Sequence, residues 1–403
     1  MGFVPSPQPP ALPPAHVSFS GDRGEFRRLV SRGALLELVT VGFYRFWLAT
    51  DIRRHLWSHT MIDGDAAEYT GRGKELLIGF LVALAILVPV YLAYFLAGLE
   101  AERIKAFASF PLFLFLYVFG QFAIYRARRY RLTRTVWRGV RFWMSGSGWA
   151  YAARAALWGL LMPLTLGLIL PWREAALERY KMRHSYYGDL QGSFEGKGWQ
   201  FFKRGWWLWL LVMLAVLSPG LLRLAVPRAD PSALVMLLFF LAAPFMYAVF
   251  KAVEWRWWLS GIRFGGVSFE SKLRGPDLFG LYWIVIGWFF LLLLAFAAYM
   301  MSCAFLLASI SGATMTQFFA RIAASGSLAT SIPLAVLTGV GYLGLVLSLN
   351  VVMRVYLLRD LWATVISSTS VLGIEAAADV SARGELANAL GEGFADGLDV
   401  AGF

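Results

Sequence analysis

Thr40-Val41-Gly42-Phe43-Tyr44-Arg45-Phe46-Trp47 opens a block, residues 40–73, that reappears without a gap at 165–198. Thr40, Gly42, Trp47, Arg54, His59, Gly71 and Gly73 return as Thr165, Gly167, Trp172, Arg179, His184, Gly196 and Gly198. Repetition at a fixed offset constrains architecture before any local reading does. Both copies abut long apolar runs, which places the repeat in a membrane protein.

Composition points the same way. Of the 403 residues 59% are hydrophobic and only 15% charged, against about 25% charged in soluble domains. The 17 Trp and 32 Phe suit aromatic rings gathered at lipid–water boundaries. Cys303 is the single cysteine, so no intrachain disulfide can form. A net charge of +12 reads as basic cytoplasmic loops facing anionic lipid, with no nucleic-acid partner. Residues 1–18 are Pro-rich and predict a disordered or polyproline arm. The arm lacks the basic-then-apolar pattern of a signal peptide.

About 20 apolar residues cross a bilayer as helix. Six runs satisfy this: 76–98, 106–125, 205–226, 232–253, 281–308 and 328–353. Two others are ambiguous. Residues 34–48 are short and contain Glu37 and Arg45, and residues 149–171 contain Arg154, Gly159, Pro163, Gly167 and Pro171. The flanks of the second are decisive. Seven Arg lie in 126–148 and seven bases in 172–204, and short Lys/Arg-rich loops stay on the cytoplasmic face. Residues 149–171 are therefore expected to enter and leave on one side, as a re-entrant or interfacial half-segment.

The expected fold is an all-α integral membrane protein. Its six transmembrane helices form three pseudo-repeated hairpins, with half-segments 34–48 and 149–171 tucked in. The repeats are 19–148, 149–268 and 269–366, followed by an acidic cytoplasmic tail, 367–403. Each hairpin is introduced by a similar box: Tyr69-Thr70-Gly71-Arg72, Phe194-Glu195-Gly196-Lys197 and Phe269-Glu270-Ser271-Lys272. Loose alternation between glycines, as in 262–270, predicts short cytoplasmic strands or hairpins.

Thr40-Val41-Gly42 through Trp47, and Thr165-Leu166-Gly167 through Pro171-Trp172-Arg173, resemble the TLG-x-x-x-P-W signature of YjgN-type bacterial inner-membrane proteins. Trp137-Arg138-Gly139-Val140-Arg141-Phe142 and the closing Gly391-Glu392-Gly393-Phe394 to Val400 extend the likeness. Phe46 stands where the second copy has Pro171. The resemblance covers nearly everything after residue 19. It implies a multi-pass protein of the bacterial inner membrane, with no assigned substrate, cofactor or catalytic residue.

The residues most able to act on a ligand are basic. Arg154 lies in an apolar segment, where an ionised side chain is costly and faces a cavity, a partner or the interface. Arg54 and Arg179 follow the matched tryptophans by seven residues, and Arg141 and Arg263 sit in matching Gly-x-Arg-Phe strings. All five read as ligand or lipid-headgroup positions. Thr40, Gly42, Thr165 and Gly167 read as re-entrant turn residues. His55 and His59 share a helix face, and His184 is the repeat partner of His59. No Cys/His set completes a four-coordinate site, so no metal is expected. Walker, dinucleotide, HExxH and GxSxG motifs are absent, which argues against an enzyme.

Two functional readings follow. One is a channel or transporter for a small anionic solute or lipid. The alternative is a non-transporting membrane scaffold or sensor that binds anionic lipid through basic cytoplasmic loops, with both termini in the cytoplasm.

Overall fold

The computed structural model describes residues 15–100, 105–225, 232–324, 328–384 and 386. Most of the Pro-rich arm, residues 101–104, 226–231 and 325–327, and the acidic end of the tail lie outside these residues.

Strand β1 (Ala15–Phe19) leads into helices α1 (Arg23–Val39) and α2 (Arg45–Ser58), then strands β2 (Thr60–Ile62) and β3 (Asp65–Tyr69). Helices α3 (Gly73–Glu100) and α4 (Lys105–Thr133) precede β4 (Thr135–Trp137) and β5 (Val140–Met144). Next come α5 (Gly148–Leu164), α6 (Leu170–Arg183), β6 (Ser185–Tyr187) and β7 (Leu190–Phe194). They are followed by α7 (Gly198–Ala225), α8 (Ser232–Gly261), β8 (Ile262–Phe264) and β9 (Val267–Ser271). The last excursion comprises α9 (Gly275–Ile310), α10 (Met315–Ala324), α11 (Leu328–Val352), a π-helical stretch (Met353–Asp360) and α12 (Leu361–Ser367). It returns to β10 (Thr369–Leu372).

The ten strands form one closed antiparallel barrel, each pairing with its neighbours in sequence, and β1 closes the ring on β10. This corrects the all-α fold of six transmembrane helices in three hairpins. Strands of three to five residues leave little alternation to read beside runs of twenty apolar residues. Ala15–Phe19 falls partly in the arm expected to be disordered, and Thr369–Leu372 falls in the stretch read as tail. Each finds its partners only in the other and in strands distant in sequence.

Two hairpins turn through residue pairs with positive φ, Asp63-Gly64 (51° and 83°) and Arg138-Gly139 (48° and 74°). These are type I′ turns, whose twist matches the strands they join. All four covalent hairpin turns lie at one end of the barrel, and all five helical excursions leave from the other.

The same junction is built five times at that second end. The residue after an outgoing strand donates its N–H to the carbonyl just before the returning one. The pairs are Ser20 to His59 (3.0 Å), Thr70 to Arg134 (2.8 Å), Ser145 to His184 (2.8 Å), Glu195 to Gly261 (2.8 Å) and Lys272 to Ser368 (2.9 Å). Four returning strands begin with a hydroxyl that bonds the carbonyl four residues back: Thr60 to Leu56, Thr135 to Arg131, Ser185 to Lys181 and Thr369 to Val365. Each satisfies an orphan carbonyl at a helix C-terminus. Gly21, Gly71 and Gly196 follow the outgoing strands because a Cβ there would meet the ring of Phe19, Tyr69 or Phe194 at 2.7, 2.5 and 2.5 Å. The box seen three times in sequence thus has two further versions, Phe19-Ser20-Gly21-Asp22 and Met144-Ser145-Gly146-Ser147. Five excursions replace the three hairpins.

The barrel interior is filled. Val17, Trp137, Tyr187, Val267 and Val371 form one buried cluster, with Phe142, Leu190, Phe264 and Phe269 against it. Burying each such side chain contributes about 1.5–3 kcal/mol. The chain beyond β10 lies across the turn end. Ala377 and Val380 join the cluster, Ser381 N–H donates to Asp189 Oδ1 at 3.1 Å, and a Cβ on Gly188 would come within 2.4 Å of the Ser381 carbonyl.

Among the described residues, five helices are long and apolar enough to cross a membrane: Gly73–Phe95, Gly198–Ser218, Leu237–Gly261, Gly275–Ile310 and Ile332–Ser367. The chain is a membrane protein. The expected span 106–125 lies in α4, which is not among these five on its described residues. Because Trp143 pairs with Tyr186 and Met144 with Ser185, the two arginine-rich stretches lie side by side. Helices α5 and α6 therefore run out and back.

The chain divides into two compact units. One holds the whole barrel with 46–276 and 363–403, and the other holds 22–45 and 277–362. Within the second unit Arg23 forks onto Asp360 at 2.6 and 3.2 Å. Glu37, one of the charges that disqualified 34–48 as a span, accepts from Arg354 at 3.0 Å.

In a Cys303→Ala background, single cysteines at Asp63, Arg138 and Asp189 should all react with a membrane-impermeant maleimide from the same face. Labelling of any one from the opposite face would contradict the barrel.

Candidate functional site

The two Thr-x-Gly segments are helix reversals of one design. In the first, Val41 N–H bonds the Leu38 carbonyl and Gly42 N–H the Glu37 carbonyl; in the second, Leu166 bonds Pro163 and Gly167 bonds Met162. This is the Schellman pattern, which needs a left-handed residue just past the helix. Here that residue is Val41 (φ 51°) or Leu166 (φ 48°), followed by Gly42 (86°) or Gly167 (82°). A non-glycine residue held left-handed costs roughly 1–2 kcal/mol. The threonines offset part of it. Thr40 Oγ1 donates to the Leu36 carbonyl at 2.7 Å and accepts from Tyr44 N–H at 2.9 Å, and Thr165 Oγ1 donates to the Leu161 carbonyl at 2.8 Å. No atom lies within 4 Å of a Cβ built on Gly42 or Gly167, so backbone angle, not space, calls for glycine.

The second reversal is set in a groove. Trp209 on α7 donates its indole N–H to the Leu166 carbonyl at 2.8 Å, satisfying an acceptor that apolar surroundings would leave bare. Around it Met162, Leu166, Gly167 and Leu170 face Trp206 and Trp209 of α7 and Phe239, Ala243 and Tyr247 of α8. The groove holds about 500 Å³, and its walls are almost wholly apolar.

Below the turn, α6 carries a buried ion network. Glu178 contacts Lys181 and, at 3.5 Å, Arg128 of α4. Arg173 pairs with Glu174, and Lys251 of α8 with Glu254 at 2.6 Å. Burial pushes the Glu178 carboxyl up, but Lys181 and Arg128 outweigh it and hold the group below its usual range. At Glu174 burial wins over Arg173 and Lys181, and the carboxyl is raised. The first copy has Arg53 and Leu56 where the second has Glu178 and Lys181, so the network belongs to one copy. Sequence reasoning missed it. The i,i+3 spacing of Glu178 and Lys181 is the one local signal, and Arg128 is remote in sequence.

The residues singled out in sequence scatter over the helix–barrel junctions. Arg154 is exposed, donates to the Ala150 carbonyl at 3.0 Å and lies 4.5 Å over the Tyr180 ring. It does not line the groove. Arg54 donates to the Gly71 carbonyl at 3.0 Å and lies 3.5 Å from Asp51. Arg179 is exposed on α6. Arg141 and Arg263 point off β5 and β8 onto the ends of the preceding helices, at the carbonyls of Thr133 (2.5 Å) and Ser260 (2.9 Å). Cations there suit the negative end of a helix dipole. Arg263 also lies 3.3 Å from Glu195. His59 and His184 each direct Nδ1 to the carbonyl four residues back, of His55 and Tyr180, at 2.7 Å. A carbonyl only accepts, so those Nδ1 atoms carry the proton. The His55 and His59 rings lie with centroids 4.2 Å apart, tilted by 34°. Of all these, Gly167 alone lines the groove.

Residues 14–397 match a family described as bacterial protein of unknown function, DUF898. The chain belongs to that family. The match agrees with the YjgN-type resemblance read from the Thr-x-Gly strings. No curated protein and no solved structure matches the chain.

Glu178→Gln leaves Lys181 and Arg128 buried without their shared anion, a loss of about 3–5 kcal/mol. A carboxyl lowered in the folded state stabilises fully above its ordinary 4.5 and stops doing so as pH falls through the native value. Melting temperature against pH in detergent should therefore lose part of its acid limb in Glu178→Gln, and the variant should melt lower at pH 7. An unchanged melting temperature at pH 7 would remove the network from any role in holding α4, α6 and α8 together.

Proposed function

We propose that this protein is a non-transporting membrane scaffold that rests on anionic lipid and displays its barrel to the cytoplasm. The filled barrel carries this reading. Trp137, Tyr187, Val267 and Val371 occupy its axis, and the chain's own residues 377–381 lie over its turn end. A passage for a small anion needs a hydrated, polar path. Arg154, the charge best suited to line one, instead lies on Tyr180.

Basic residues favour the cytoplasmic face for the barrel, because seven Arg in 126–148 and seven bases in 172–204 surround its strands. The same residues supply the attraction to an anionic bilayer surface, worth about 1 kcal/mol per charge close to it. The bacterial inner membrane meets both conditions. No catalytic role is assigned: Glu174, Glu178 and Glu195 of the second copy are engaged by cations, and Asp189 accepts the Ser381 N–H.

The test is solute flux. Proteoliposomes carrying wild type or Arg154→Ala should pass a panel of small anions no faster than empty liposomes do. Flux in the wild type that Arg154→Ala abolishes would overturn the scaffold in favour of a transporter.

A further inference from the structure

We infer that the groove beside Thr165-Leu166-Gly167 is a binding site for one acyl chain of an anionic glycerophospholipid. Its headgroup would lie on the first turns of α7. The inference rests on the membrane-scaffold reading and adds a defined ligand to it.

Length is the first argument. Along α7 the lining runs from Phe201 to Met213, a rise of about 18 Å, somewhat more than half of a hydrocarbon core about 30 Å thick. A groove of this length and apolar character, closed at the far end by the helix reversal, accepts one lipid chain from a single leaflet. A water-soluble ligand would leave its polar groups without partners there.

Charge at the near end is the second argument. Phe202 lines the groove and stacks on Trp199 with centroids 5.4 Å apart, and Trp172 packs on both. Lys203 places its ammonium 5.4 Å from the Trp199 ring centre. Arg204 follows, and both cations are exposed. An aromatic cluster carrying cations is the arrangement found where headgroups begin. Lys203 and Arg204 do not line the groove; they flank its near end by way of Trp199 and Phe202, beside the place where the phosphate ahead of an acyl chain would lie. The chain gains little by leaving bilayer for groove, since both are apolar, so selectivity resides in the headgroup.

Gly205 makes the site testable. It lines the groove, and nothing lies within 4 Å of a Cβ built on it. A side chain added there enters the groove without meeting the protein, and replacing a mid-helix glycine favours the helix. Native mass spectrometry of wild-type protein from nanodiscs of mixed phosphatidylglycerol and phosphatidylcholine should retain one phosphatidylglycerol per chain. The expected preference is roughly tenfold. Gly205→Trp should fold, by far-ultraviolet circular dichroism and melting temperature, and lose the retained lipid. Ala243→Trp, which fills the same groove from α8, should lose it too and serves if Gly205→Trp is unstable. Lys203→Gln with Arg204→Gln should keep a lipid but lose the preference for phosphatidylglycerol.

Equal retention by wild type and a folded Gly205→Trp would overturn the inference, as would equal retention of the two lipids by wild type. The flux assay fails separately. Anion flux through wild type would remove the scaffold reading while leaving lipid stoichiometry to decide the groove.

Discussion

The pairing of Ala15–Phe19 with Thr369–Leu372 holds the architecture together. It joins the two ends of the described chain into a ring, and every other strand finds its place between them. A strand of three residues cannot persist alone, and an open sheet of such strands would expose two edges. Closure removes both edges. It also forces every helical excursion to begin and end at the same level, whatever its length. The five cross-junction hydrogen bonds from Ser20, Thr70, Ser145, Glu195 and Lys272 are the local expression of that constraint.

From closure follows the contrast between the barrel and the groove. The barrel draws its strength from packing Trp137, Tyr187 and valines against one another. Concavity is found instead where two helical excursions of different length meet. Helices α5 and α6 turn back at Thr165, while α7 and α8 continue. The shorter pair ends against the flank of the longer one, and Trp209 seals the reversal by taking the Leu166 carbonyl. Glu178, Lys181 and Arg128 fasten the base of α6 to α4, which keeps the short pair upright beside its neighbours.

Histidines and arginines that drew attention in the sequence show how a repeat can preserve a joint rather than a site. His59 and His184 match because each closes the end of a helix through Nδ1. Arg141 and Arg263 each reach the last carbonyls of a helix. Gly71 and Gly196 match because an aromatic ring two residues earlier folds over them. These are requirements of the strand-to-helix corner, and they recur wherever a corner does.

Membrane residence and a bend at each of the two Thr-x-Gly strings are legible in the residues themselves. Apolar run length, arginine placement and the need for left-handed backbone are all local or compositional. The barrel was legible only at Ile262–Glu270, because strands of three to five residues carry too little alternation to be separated from the corners around them. The ring's closure, the Arg128–Glu178 contact and the groove depend on residues brought together from far apart in the chain. Such contacts are decided by which helices return side by side, and that is set by closing ten strands at once rather than by any one segment.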